Sequence, residues 1–165
     1  RFLWDGGFAG AADVVRSPRN GRIVPVVGTE TLRSLDELRP LLRPATGGQP
    51  ILGLDLGPGG VHSRSPLVAV LGEEELLRRA LRQGFRSVIL LFIDRVGTGE
   101  GLPRLRLERL RAAAPRADLL VGGGIASLDD LAFLLAGGFS GALLATALHE
   151  GLFAVEDLRR ARYLN

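Results

Sequence analysis

The 165-residue chain is 46% apolar and 24% charged, with 23 glycines and a formal net charge of +3. That composition fits one folded domain with a real core and excludes a disordered or fibrous chain. The chain has no cysteine, no lysine and two histidines, His62 and His149, which excludes disulfides, thiol chemistry, a Schiff-base lysine and a His/Cys metal cluster, so no metal or other cofactor is expected.

Short apolar runs alternate with amphipathic segments. The strand candidates are Phe2–Trp4, Ile23–Val27, Ile51–Leu56, Val88–Ile93, Leu119–Val121 and Ala142–Ala145. Their continuous apolar character suits parallel strands buried on both faces. Helices are expected between them. Ser34–Leu42 opens with the capping-box spacing Ser34-Leu35-Asp36-Glu37. Glu73–Arg82 begins with three acids and ends basic, as the helix dipole favours. Pro103–Ala114 carries proline near its first turn, Ser127–Ala136 ends at Gly137-Gly138, and Val155–Tyr163 closes the chain. Gly57–Val70 is the longest irregular stretch and a candidate functional loop.

Strict βα alternation predicts an α/β protein with a parallel sheet, either doubly wound or a (β/α)8 barrel, with no internal domain boundary. The arginines lie beside Glu and Asp on amphipathic helices, so they read as solvated faces and not as a nucleic-acid stripe. No apolar run reaches about 18 residues and no signal peptide is visible, so a cytoplasmic protein without membrane or nucleic-acid partners is expected.

An internal repeat narrows the architecture. A shift of 117 residues lays Asp5-Gly6-Gly7-Phe8 on Gly122-Gly123-Gly124-Ile125 and, without a gap, Val26-Val27-Gly28-Thr29 on Leu143-Leu144-Ala145-Thr146, with Gly21 over Gly138. The repeat relates roughly residues 1–32 to 118–149. Each copy reads strand, glycine turn, helix, strand, then a small residue and Thr.

The segments ILGLDLGPGGV (51–61), FIDRVGTGEG (92–101), LLVGGGIASLDDL (119–131) and GALLATALHEG (141–151) resemble the histidine-biosynthesis (HisA/HisF) barrels, which are (β/α)8 barrels built of two similar halves. VVGTETL (26–32) and RVGTGEG (95–101) look closer to the HisA/HisF-related proteins of methanopterin-linked one-carbon metabolism. The resemblance makes the six strands numbers three to eight of a single TIM-barrel domain. The repeat partner of Asp55 would then fall about 62 positions before Arg1. Some 60–70 residues, the first two βα units, are expected to be missing or supplied by another chain, with a homo-oligomer as the alternative, and the absence of an initiating Met agrees with a fragment or a processed chain. An open six-stranded form would expose unpaired edges at Phe2–Trp4 and Ala142–Ala145.

Barrel ligands bind at the C-terminal strand ends. Gly122-Gly123-Gly124, with Ala145-Thr146 and a short helix after them, is the candidate phosphate site; the alternative is that the glycines only permit tight packing. Ala145 stands where the family has Gly. Gly6-Gly7 with Gly28-Thr29 would form the symmetric second site. Asp55, ending an apolar strand, is the candidate acid/base; the alternative is a structural carboxylate. The resemblance implies that this aspartate works with one on the first strand in an Amadori aldose–ketose isomerisation of a phosphorylated aminated sugar. On the sixth strand the family motif resembles TDxxRDGT, and here its Thr is Leu91 and its second Asp is Val96. Asp94, two positions earlier, and Arg95 either contact a substrate, catalytically in the case of Asp94, or form a rim salt bridge. Gly97 and Thr98 in the following turn join Arg95 as binding candidates. Trp4 is expected in the core, His149 on the surface at a helix start, and Glu30 is a candidate rim acid. Two other readings stay open: a related barrel in one-carbon carrier metabolism, and a non-catalytic subunit that binds a phosphorylated metabolite.

Overall fold

The computed structural model describes residues 2–8, 14, 22–42 and 49–161. Its strands are β1 (Phe2–Asp5), β2 (Ile23–Gly28), β3 (Ile51–Gly57), β4 (Gly60–Val61), β5 (Ser87–Phe92), β6 (Asp118–Gly122) and β7 (Gly141–Leu143). Six of them form one parallel sheet in the order β1-β2-β3-β5-β6-β7, and β4 folds back antiparallel on β3. The described helices are α1 (Leu38–Leu41), α2 (Pro66–Ala69), α3 (Glu73–Gln83), α4 (Arg104–Ala113), α5 (Leu128–Ala136), α6 (Thr146–His149) and α7 (Val155–Arg160). Parallel strands in sequence order, joined by helices, are the arrangement of a partial (β/α) barrel.

The pleat divides the strand side chains between two cores. Leu52, Leu54, Leu56, Val88, Leu90, Phe92, Leu119 and Val121 face the helices and join Leu76, Leu77, Leu107, Leu110 and Leu131 in the main core. The opposite face carries a smaller cluster of Val24, Val26, Ile51 and Ile89, flanked by Leu91 and Leu120. Burial on both faces explains why these strands read as unbroken apolar runs.

Several boundaries differ from expectation for local reasons. The Ser34–Leu42 segment is a 3-10 turn, Leu35–Glu37, running into the single turn α1. Ser34 Oγ accepts from Asp36 N, and the Glu37 carboxylate accepts from Arg33 N, one residue outside the capping-box register. Gly57–Val70 is not irregular: it holds the hairpin strand β4 and the helix α2. Ile93 leaves the sheet with Asp94 and Arg95 in a 3-10 turn, and β7 stops at Leu143. Trp4 is not core but 40% exposed, its ring edge-on to Phe8 at 5.1 Å. The expected repeat helix with Gly21, and Tyr163, lie outside the described residues apart from Val14, which is helical and buried.

The two sheet edges are open among the described residues: β1 pairs only with β2, and β7 only with β6. Phe2 is 71% exposed, and Leu3, Trp4 and Leu143 are exposed as well.

Candidate functional site

Register places the candidate groups on one face, at the C-terminal strand ends. Asp55 lies opposite Leu91, Leu91 opposite Gly122, and Gly122 opposite Leu143. Paired residues of parallel strands point to the same side, so this row continues the inner cluster of Ile51 and Ile89. On β2 the same face carries Val24 and Val26 and then Gly28. Asp5, opposite Val26, ends β1 on that side.

A cavity of about 160 Å³ lies where β5, β6 and β7 end. Arg95, Gly97, Gly122, Gly123, Gly124, Ala145 and Thr146 border it, with Leu91, Val96 and Leu143 as apolar wall. Seven candidate binding residues, remote in sequence, thus share one cavity. Gly123 and Gly124 adopt φ of +85° and +83°, and a Cβ at Gly123 would collide with the Phe92 carbonyl. A Cβ at Gly124 would come within 2.7 Å of the Gly101 carbonyl. The glycines therefore serve close packing against the β5 loop as well as an open cavity floor. The glycine loop after β6 is pinned to α5: Ser127 Oγ accepts from Asp130 N, and the buried Asp130 carboxylate accepts from Ala126 N and from Arg104 at the start of α4. Arg95 Nη1 donates to the Gly101 carbonyl at 2.9 Å and lies 3.9 Å from Glu100. The four-residue helix α6 begins directly after Ala145.

Asp55 is the strongly perturbed acid. Its pKa is raised from 3.8 to about 7, first by burial, then by a hydrogen bond with the Glu30 carboxyl, then by the charges of Glu30 and Asp5. Glu30 folds back over Gly28, so that a Cβ there would overlap the Glu30 carboxylate. Glu30 Oε2 is buried and no N–H or hydroxyl donor faces it. Two carboxyls can bond only when one is protonated, and the raised pKa puts that proton on Asp55 up to near neutrality.

The other half of the face differs from its repeat partner. Gly7 has φ of +62°, like its counterpart Gly124, but its N–H donates to Asp5 Oδ1 at 3.2 Å. Gly6 packs beside Trp4 and Phe8. Thr29 is fully buried; its hydroxyl donates to the His62 carbonyl and accepts from Asp55 N, so it braces β2 against β3 and presents nothing to a ligand. Ser63 Oγ adds a bond to the Thr29 carbonyl. A second cavity, about 600 Å³, opens beside this end, bordered by Gly7, Thr31, Arg33, Arg64 and Ser65 among others. Arg64 lies in the Gly57–Val70 stretch expected as a functional loop, whereas Arg33 carried no sequence signal beyond its charge.

Asp94 is exposed in the 3-10 turn, borders neither cavity and meets no cation among the described residues. Thr98 also lies outside the cavity walls, its hydroxyl donating to the Arg95 carbonyl. His149 is exposed at the end of α6, not at a helix start. Among the described residues no cluster of His, Cys, Asp or Glu could hold a metal ion, and no helix is long and apolar enough to cross a membrane.

The family model described as histidine biosynthesis protein matches residues 2–154. The chain belongs to the histidine biosynthesis protein family. Family relatives similar to it are named 1-(5-phosphoribosyl)-5-((5-phosphoribosylamino)methylideneamino) imidazole-4-carboxamide isomerase. One from Rubrobacter xylanophilus is 31% identical over 94% of this chain and 63% of its own length. One from Synechococcus sp. (strain JA-3-3Ab) is 34% identical over 82% of this chain and 52% of its own. One from Thermus thermophilus is 43% identical over 50% of this chain and 35% of its own. The chain thus spans between about a third and two thirds of these curated relatives. Among solved structures, DHODH from Eimeria tenella, crystallised with ferulenol, superposes with a TM-score of 0.54 at 16% identity, covering 92% of this chain and 54% of that one; at that identity the likeness speaks for the fold alone.

Proposed function

We propose that this chain is the greater part of an aldose–ketose isomerase acting on a sugar with a phosphate at each end, the reaction class of its named relatives, with its six strands as numbers three to eight of the barrel. The observation that carries the reading is Asp55: a half-buried carboxyl with a pKa near neutrality, on the inner face at the strand ends, beside a glycine-floored cavity with an arginine on its wall. A carboxyl near pH 7 can both give and take a proton. One phosphate would lie in the cavity of Gly122–Gly124, Arg95 and Thr146, the other in the cavity of Gly7, Arg33 and Arg64. In strand order β3, with Asp55, lies between the two.

An Amadori isomerisation needs no redox partner. Asp55 gives its proton to the ring oxygen as the C1–O bond breaks, leaving an iminium at C1. A carboxylate then takes the C2 proton, and the C–H electron pair forms C1=C2 as the C1–N double bond becomes single. Loss of the O2 proton and protonation of C1 give the ketose, with no net gain or loss of atoms. Each step is proton transfer by a positioned acid or base. The test is turnover of the relatives' bisphosphate imidazole-carboxamide substrate by the complete gene product, with Asp55→Asn as comparison. Activity unchanged in that variant would reject the mechanism.

One observation favours a second reading, a related barrel serving one-carbon carrier metabolism. Leu91 and Val96, which stand where the family motif has polar residues, form apolar cavity wall. Binding of inorganic phosphate without turnover of the imidazole-carboxamide substrate would favour that reading or a non-catalytic binding subunit.

A further inference from the structure

We propose that Glu30 is a positioning residue for Asp55, holding the proton between the two carboxyls so that Asp55 starts the isomerisation as the acid. The inference rests on the isomerase reading and adds to it a second carboxyl, the rim acid of the VVGTETL segment (26–32).

The argument is geometric. Gly28 lies opposite Gly53 in the β2–β3 register, and Glu30 follows in the turn that ends β2, its carboxylate folded back over Gly28 on the side of β3. On its other flank Asp55 faces Leu91, an apolar side chain that can neither donate nor accept. Its polar company on this face therefore comes from the β2 side. Gly28 leaves the room: only without a Cβ there can the Glu30 carboxylate fold inward over the strand. The backbone beneath is fixed on both sides, since Thr29 N donates to Gly53 O, Asp55 N donates to Thr29 Oγ1, and His62 N donates to Asp55 O. This brace holds the two carboxyls over the same strand ends.

The charged and titratable groups around Asp55 are Glu30 after β2, Asp5 at the end of β1 and His62 in the hairpin beyond β3. Asp5 is engaged by the Gly7 N–H, and His62 meets the site through its backbone. Among the described residues no arginine pairs with Glu30 or Asp55, so nothing nearby favours two ionised carboxylates there. Like charges in a half-buried pair cannot both ionise at low cost, and one proton stays between them.

Glu30→Gln keeps the side-chain shape and removes one charge and one proton site. Two readouts test the inference in the complete gene product. The first is carboxyl ¹³C NMR titration, in which Asp55 should titrate near neutrality in the parent and clearly lower in Glu30→Gln. The second is the pH profile of isomerisation. Its kcat should fall about tenfold or more at neutral pH with KM changed little, and its descending limb should move to lower pH. Glu30→Ala should reproduce both shifts, which separates them from any effect of the new amide. An Asp55 titration unmoved by Glu30→Gln, or a kcat–pH profile that superimposes on the parent, overturns the proposal. If the parent itself does not turn over while the paired titration is intact, the isomerase reading fails, and the catalytic use of the pair fails with it.

Discussion

Asp55 ties stability and activity together at a single residue. Its raised pKa means that the folded chain holds a proton the unfolded chain releases near pH 4. The stabilisation this gives is complete below the unfolded value and is lost as pH rises through about 7. Thermal unfolding at pH 5 and pH 8 should show the folded chain less stable at pH 8. Asp55→Asn should flatten that difference and raise the melting temperature at pH 8, while lowering kcat by about 10²–10⁴-fold. A melting temperature that falls at pH 8 in the variant would contradict the charge-strain account. At Gly123, φ of +85° and the neighbouring Phe92 carbonyl leave no place for a methyl group. Gly123→Ala should cost about 1–3 kcal/mol in urea unfolding and weaken phosphate binding, the latter measured by calorimetry. Asp55 was legible in sequence because it ends an apolar strand. Glu30 was legible only as a rim acid, since it meets Asp55 by folding back from the turn after β2, a tertiary contact that periodicity does not encode.

At the scale of elements, one ion pair locks two helices to the sheet. Arg106 on α4 makes two bonds to the Glu73 carboxylate at the start of α3, at 3.0 and 2.8 Å, and donates to the Gly57 carbonyl at the end of β3. Both side chains are mostly buried, and the guanidinium stacks over Phe92 at 5.3 Å. Truncating one partner leaves the other charge buried, so Arg106→Ala should cost about 3 kcal/mol by chemical denaturation. The exposed fan of Arg78, Arg79 and Arg82 around Glu75 should contribute far less. The sequence marked the acidic start of α3 as dipole chemistry, but Glu73 is also a cross-helix anchor, a contact that only tertiary packing reveals. The helices marked by an acidic start, an early proline and a closing Gly-Gly, α3, α4 and α5, fall within a residue of their expected bounds. The Ser34–Leu42 segment, despite its capping-box spacing, resolves into a 3-10 turn and one helical turn, with Pro40 tolerated because it lies in that first turn.

At the scale of the molecule, the alternation of six strands and helices made the parallel sheet legible, and the repeat suggested that its ends belong to a closed barrel. The repeat did not reveal which charged side chains stand at each end. Arg95 and Glu150 border the Gly122–Gly124 cavity; Asp5, Glu30 and Asp55 gather at the other end, where Arg33 and Arg64 border the second cavity. Backbone patterns repeat because they build the same βα unit, whereas single side chains such as Glu30 break the symmetry without altering the pattern. The open edges carry their own consequence. Phe2, Leu3 and Trp4 on β1 and Leu143 on β7 are exposed, and an unpaired apolar edge recruits other chains. The 165-residue chain alone should sediment with a concentration-dependent mass, and a constant monomer mass would contradict that expectation.

The most direct test of the account is isomerisation of the relatives' bisphosphate imidazole-carboxamide substrate by the complete gene product, measured beside Asp55→Asn under conditions where both remain folded. The account predicts turnover by the parent and a loss of about a hundredfold or more in the variant. Equal turnover by both, or none by a parent that still binds the substrate, would contradict it.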